Sequence, residues 1–525
     1  MAGELPAEAD ATAKTTEPDA TQIKWIAVIE QYDKAFKDWH KRGMKLWNIY
    51  SEERRAKTES ADPTSRRMSL FYSNVSTLQP AIYAKMPHPN VSRRFKDEDP
   101  IARAVAEISE RCLISLADES DFDAMMRSVR DDFLITARGA AWVRYEADTE
   151  ALEDAEGNSL NERGEPLGED ESPAEQITGE RVIWDFVNWQ DFGHTVARTW
   201  GEVTAVWRKA YMTRRDGVKR FGKEKFAKVE LDQVVGDPSA QQMEDTKEAS
   251  KNKATVYEIW DKTTNKVYFI AKGANEPLEI VEPYLNLKGF FPCPKPAYGP
   301  LTTNSLIPTP EYVYYQDQIE EIDDLTARIA ALQDALKLVG FYPAGPKGEA
   351  NPEIETAVQA GFENRMIAIP NWAQFVDGGK GGAPIVYLPI EQVMKTIEGC
   401  IALRKQLIDD VYQITGISDI MRGEGDKDET ATAQNIKSQW GSVRIRDRQN
   451  ELAKFARECY RIGAEIIADK FQPETLLKMA NMSLPTEAEL QQQALLQQQQ
   501  ALMAQAQQAQ QQPPQGQPMQ PGMAA

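Results

Sequence analysis

Cysteine, histidine and long apolar runs are what this 525-residue chain has least of, and each shortage removes a class of function. The four cysteines, Cys112, Cys293, Cys400 and Cys459, stand far apart with no CxxC pair, so neither a zinc site nor a disulfide framework has its spacing. Cys112, Cys400 and Cys459 fall in helical patterns, and the set reads as buried free thiols in a reducing compartment. The three histidines, His40, His88 and His194, form no HExxH and lie in different segments. A phosphate loop is missing too: Gly378-Gly379-Lys380-Gly381-Gly382 lacks the leading glycine spacing and the Ser or Thr that would hold magnesium. There is no G-x-S-x-G elbow, no Gly-rich dinucleotide fingerprint and no Asp-x-Asp-x-Asp-Gly calcium loop. We therefore expect no enzyme, no cofactor and no metal. No stretch of eighteen apolar residues occurs, and Met1 to Thr21 has no apolar core, so neither a membrane span nor a signal peptide is expected. The sequons at Asn74, Asn90 and Asn481 are then chance matches.

What is present is ample apolar material and excess acid. With 59.1 kDa and 41% hydrophobic residues the chain can build several sizeable cores. Lys+Arg 61 against Asp+Glu 81 gives a formal charge of -20 and a pI near 4.9, so the average surface repels nucleic acid and anionic membrane.

Along the chain, residues 22 to 60 read as one helix with Trp25, Ile29, Tyr32, Phe36, Trp39 and Leu46 at the spacing of a buried face. Further helices are predicted at Leu78 to Lys85, Pro100 to Asp118 and Phe122 to Thr136. From Ala140 the period changes to two: Ala141 to Tyr145 and Arg181 to Val187 read as strands flanking a mobile acidic loop over about 146–180. More strands follow at Glu202 to Trp207, Thr255 to Trp260 and Lys266 to Ala271. The last two form a hairpin through Asp261 to Asn265, and a helix from Thr213 to Val229 precedes them.

Two amphipathic rods then dominate. Thr309-Pro310-Glu311 has the cap, first-turn proline and acid of a helix start, and Ile319, Ile322, Ile329, Leu332 and Leu336 recur on one face. Glu320, Glu321, Asp323 and Asp324 occupy other faces, and the rod runs about 40 Å to Lys337. A second rod carries Val393, Ile397, Cys400, Leu403, Leu407 and Val411 and stops at Gly416. Between them Phe341 to Pro346 is turn-rich, while Asn364 to Pro370 and Ile385 to Leu388 look like strands. After the second rod comes a Gly-rich loop with Arg422, Glu424, Asp426 and Lys427. A long helix follows, packed through Ile436, Trp440, Val443, Leu452, Phe455, Cys459, Ile462 and Ile466. Arg444, Arg446 and Arg448 alternate around that helix as candidates for salt bridges to a neighbouring subunit's acids or as ordinary surface arginines. Past Pro473 a short helix, Leu476 to Met482, gives way to a Gln/Ala tract and a Pro/Gln/Gly end.

The order of rod, compact insertion, second rod, the loop Gly416-Ile417-Ser418-Asp419-Ile420-Met421-Arg422-Gly423, the phrase Thr430-Ala431-Thr432-Ala433 and a long helix resembles the portal proteins of tailed bacteriophages, of the short-tailed type. Asn74-Val75-Ser76-Thr77-Leu78-Gln79-Pro80-Ala81-Ile82-Tyr83 is similar to that family's early wing helix. The resemblance covers roughly residues 25 to 475 and rests on layout and a few phrases; Ala433 stands where an acid often follows in the family. It implies an α+β, predominantly helical fold in eight parts. These are a disordered N-terminus (1–21), a wing with antiparallel strands (22–310), stem helices at 311–338 and 391–415, and a small α/β clip (339–390) between them. A tunnel loop (416–430), a long wing helix (431–472) and a crown-like or disordered Gln-rich tail (473–525) complete it.

The resemblance further implies a homododecameric ring at one capsid vertex, assembled in the bacterial cytoplasm and carried in the virion. Double-stranded DNA would pass through it under a separate terminase, and its partners would be the terminase large subunit, major capsid and scaffolding proteins and a tail adaptor. Arg422, Glu424, Asp426 and Lys427 would face DNA, and Arg444, Arg446, Arg448, Glu320, Glu321, Asp323 and Asp324 would lie between subunits. An acidic ring interior would let DNA slide, which suits a conduit better than a clamp. Another head-to-tail connector or tail component stays open, as does a nucleic-acid-processing enzyme, which would need a metal or nucleotide and a discrete basic cleft.

Overall fold

The computed structural model describes residues 19–52, 66–93, 100–151, 175–227, 229–234, 251–336, 339–343, 365–369, 386–387, 390–417, 431–482 and 496. These belong to two compact units. The first draws on Met1–Pro87, Ala117–Glu146 and Val182–Asp469, the second on His88–Leu116, Ala147–Arg181 and Lys470–Ala525. The fold is mixed α+β, rich in helix, with antiparallel sheets.

The first unit is organised on helix α1 (Ala20–Tyr50), whose start is fixed by Asp19 accepting from the Thr21 N–H at 2.7 Å. Its aromatic stripe is core, as the periodicity predicts. Trp25, Ile29, Tyr32, Phe36 and Trp39 pack against Trp189, Ala205, Trp207, Tyr257, Ile259, Tyr268 and Ile270. The helix ends ten residues short of the predicted 60, where Ser51 folds back on Trp47. Helix α2 (Leu70–Ile82) begins eight residues before the predicted Leu78, because Leu70, Phe71 and Val75 have a core to enter. Helices α3 (Pro100–Glu119) and α4 (Phe122–Ile135) fall where expected.

Strands β1 (Arg138–Ala151) and β2 (Glu175–Val187) run further into the acidic stretch than predicted. After β3 (Phe192–His194), the predicted strand start at Glu202 is instead a 3-10 turn, Trp200–Glu202, and β4 spans Ala205–Thr213. The predicted helix from Thr213 is two: α5 (Arg214–Phe221) and α6 (Lys223–Phe226), broken at Gly222 with φ +87. Gly217 sets that break, since a Cβ on it would lie 2.0 Å from the Phe226 ring and only glycine lets the two pieces close up. Strands β5 (Gln233–Val234), β6 (Lys251–Asp261), β7 (Lys266–Ala271) and β8 (Glu279–Val281) complete a six-stranded sheet ordered β3-β4-β6-β7-β8, with β5 on β6. The predicted hairpin is there, closing with Asp261 opposite Lys266 and Asn265 at φ 53. Strand β9 (Ala297–Tyr298) pairs with the start of β1.

The first rod starts later than its cap phrase predicts. Glu311–Tyr314 is a 3-10 turn, and α7 spans Gln316–Ala335, because Tyr312 and Tyr315 are drawn into the core between them. Strand β10 (Val339–Pro343) replaces the predicted turn; it runs parallel to β11 (Arg365–Ile369) and antiparallel to β12 (Val386–Tyr387). The second rod, α8 (Ile390–Thr415), ends as expected at Gly416, φ +71. Helix α9 (Ala431–Lys470) and α10 (Pro473–Ala480) close the described chain apart from residue 496, and the Gln-rich tract with its proposed crown lies outside it.

In the second unit, Arg111 donates to the Ala480 carbonyl at 3.1 Å, the Gln472 N–H donates to Glu180 at 2.8 Å, and Arg181 pairs with Asp148 at 3.0 Å. All four cysteines are free and buried. Among the described residues no helix is long and apolar enough to cross a membrane.

Candidate channel and subunit interface

Helices α7 and α8 pack as a hairpin whose inner stripe is Ile319, Ile322, Leu325 and Ile329 against Ile397, Cys400, Leu407 and Val411. That seam continues into Leu46, Phe71, Val75 and Ile135 of the body. The outward sides differ sharply. On α7 the exposed residues include Asp317, Glu320, Glu321 and Asp324 against the single cation Arg328. On α8, Met394 and Ile401, one above the other two turns apart, are each more than 40% exposed among the exposed charges Glu391, Lys395, Glu398, Lys405 and Asp409, and Leu403, expected on the inner stripe, is 43% exposed on another flank because it falls outside the arc of Ile397, Cys400, Leu407 and Val411.

The base of the hairpin is held by α9. Arg444 Nη1 donates to the Ile414 carbonyl, 2.9 Å away in the last turn of α8, where a cation suits both the open carbonyl and the helix dipole. One turn on, Arg448 Nε donates to Glu311 at 2.9 Å and its Nη2 to the same oxygen, tying α9 to the turn that starts α7. Arg444 and Arg448 thus find partners within their own subunit, and Arg446 is exposed. Among the acids, Glu320 pairs with Lys45 at 3.5 Å, while the Gln316 amide holds its carboxyl below the usual range. Asp323 accepts from the Met68 N–H at 3.0 Å and from Arg67 at 3.4 Å, and burial pushes its carboxyl up. Glu321 and Asp324 are exposed. Arg422, Glu424, Asp426 and Lys427 lie outside the described residues.

Sequence reasoning missed the charged groups that are buried. Arg138 is fully enclosed: it donates to Tyr32 Oη at 2.7 Å and to the Trp189 and Phe192 carbonyls at 2.6 and 3.0 Å, with its guanidinium 4.3 Å from the Trp39 ring centre. Two of the three scattered histidines meet around this group, His40 and His194 lying 6.0 and 5.7 Å from the Tyr32 ring. Burial, reinforced by Arg138, lowers them to about 4 and about 3. His194 has no solvent exposure and bonds the Thr195 carbonyl at 2.9 Å, so it holds the core rather than serving a substrate.

A second network, part-exposed and centred on the buried Glu258, links the sheets. Arg208 pairs with Glu258 at 2.8 Å and Asp185 at 3.1 Å; Arg144 reaches Asp185 at 2.6 Å; Trp260 and Tyr284 both donate to Glu258 at 3.0 Å. No local spacing announces either set, because its members are far apart in sequence.

A cleft of about 430 Å³ lies between residues 287–295 and α9, where Arg461 bridges Glu458 and Glu465 at 2.8 Å each. Among the described residues no group of three His, Cys, Asp or Glu side chains is placed to hold a metal ion. No protein-family model matches the chain, and no curated protein does.

Proposed function

We propose that this chain is a structural subunit of a portal-type ring through which double-stranded DNA is packed and later released at one capsid vertex. The observation that carries the reading is the α7–α8 hairpin. Its inner stripe is committed to the body, its base is clamped by Arg444 and Arg448, α7 presents an acidic outer side, and α8 leaves Met394 and Ile401 exposed on one flank. In a ring, Met394 and Ile401 of α8 are covered by the next subunit, and the acidic side of α7 gives a wall over which DNA slides without being held. A separate terminase ATPase drives the DNA; capsid, scaffolding and tail-adaptor proteins are the other partners, and the chain itself acts as conduit and not as catalyst.

Native mass spectrometry with negative-stain electron microscopy of the purified protein tests this. Closed rings with a central hole are expected. Monomers or dimers only, across a range of concentration and salt, would overturn it.

A further inference from the structure

Between Arg214 and Lys225 the sequence holds six cations (Arg214, Arg215, Lys219, Arg220, Lys223 and Lys225) against two acids, in a chain of formal charge -20. The structure divides the six into two sets. Arg214 donates to the Phe226 and Ala227 carbonyls at 3.0 and 2.6 Å, Lys225 to the Leu278 carbonyl at 3.0 Å, and Arg220 lies 5.2 Å from the Phe269 ring and 3.7 Å from Glu279. Arg214 thus ties α5 to the end of α6, and Lys225 and Arg220 fasten the pair to the edge of the six-stranded sheet. The platform is further fixed by the Gly217–Phe226 contact and by Thr213, whose side chain accepts from the Asp216 N–H. Arg215, Lys219 and Lys223 are exposed and, among the described residues, have no carboxylate within ion-pair reach. Arg215 and Lys219 stand one helical turn apart, and Lys223 follows just past the Gly222 break.

We propose that this α5–α6 face binds the phosphate backbone of double-stranded DNA, outside any channel and independently of ring assembly. Charge complementarity names a polyanion, and the missing apolar anchor selects among polyanions. Protein interfaces centre on buried aromatic or aliphatic residues, yet Gly217 and Phe226 are already buried and none of the chain's exposed large hydrophobics lies between 214 and 225. Backbone recognition of a duplex needs only rigidly spaced cations.

The test is fluorescence anisotropy of a labelled DNA duplex titrated with the full chain over a potassium chloride series. Arg215→Glu/Lys219→Glu/Lys223→Glu is compared with Lys41→Glu/Lys262→Glu/Lys266→Glu, which changes net charge equally at exposed sites elsewhere. The patch variant is expected to bind roughly tenfold or more weakly, with its log–log salt slope reduced by about 2.7 for three lost phosphate contacts, while the control keeps its slope. Equal losses in both variants, or no loss in the patch variant, would overturn the proposal. So would a patch variant that loses binding only to poly-glutamate, which would point to an acidic protein. Arg215→Gln/Lys219→Gln/Lys223→Gln, expected to show the same ranking, guards against misfolding by the reversed charges. Native mass spectra of the same samples report assembly separately, so loss of rings and loss of DNA binding are read apart.

Discussion

Arg444 Nη1 sits 2.9 Å from the Ile414 carbonyl, and Gly416, two residues beyond, leaves the space that Arg444 occupies: a Cβ there would lie 2.8 Å from Nη1 and 2.9 Å from Cδ. Helix end, glycine and arginine form one joint between the second rod and the long helix.

Gly416→Ala should therefore destabilise by about 1–2 kcal/mol, since it adds a side chain at φ +71 and displaces Arg444. Gly399, in the middle of α8 with nothing within 4 Å of its would-be Cβ, makes the contrast. Gly399→Ala should stabilise by up to about 1 kcal/mol through helix propensity. Urea denaturation of both variants checks the opposite signs.

Arg138→Lys should cost stability heavily, on the order of 3 kcal/mol, although the charge is kept. An ammonium cannot reach Tyr32 Oη and the Trp189 and Phe192 carbonyls together, and buried acceptors are left without donors. A thermal melt close to that of the wild type would refute this account of the cage.

Acid should unfold the first unit through its histidines. The folded pKa of His194 is about 3, and that of His40 about 4, both below the ordinary value of about 6.5. The unfolded chain thus binds the extra protons, and stability falls as pH drops below about 6.5 towards the folded values. Between pH 7 and 5 the fully buried His194 alone should account for about 2 kcal/mol. Asp132, pushed up by its burial, works in the opposite direction, its penalty fading as acid protonates it. Chemical denaturation at the two pH values gives the net slope.

Arg208 and Glu258 should show strong coupling. Removing Arg208 strands the buried Glu258 carboxylate, so Arg208→Ala is expected to lose about 3 kcal/mol or more, Glu258→Ala less because Arg208 is 20% exposed and keeps Asp185, and the double variant less than their sum. A double-mutant cycle measures the difference.

On the ring reading, Met394→Glu/Ile401→Glu should shift native mass spectra towards monomer while leaving the subunit's melting temperature nearly unchanged. Both side chains are already exposed in the subunit and lose only the neighbour's cover.

Local pattern by itself determined the elements whose two faces differ. The aromatic stripe of α1, the Asp261–Asn265 hairpin, most of the inner faces of both rods and the stop at Gly416 were legible, because periodicity and turn chemistry are written in neighbouring residues, whereas Leu403 and Val443, read as inward, are exposed. Boundaries moved wherever a distant core outbid a local signal. Tyr312 and Tyr315 pulled the first rod's start past its cap phrase, Leu70 and Phe71 extended α2 backwards, and Phe226 against Gly217 split one predicted helix into two. Of the candidate site, the acidic side of α7 was readable. That Arg444 and Arg448 close on their own chain was not, for their partners Ile414 and Glu311 lie 30 and 137 residues away. Only the tertiary structure decided which charges are buried, as at Arg138 and Glu258, because desolvation depends on what packs around a group and no spacing along the chain records it.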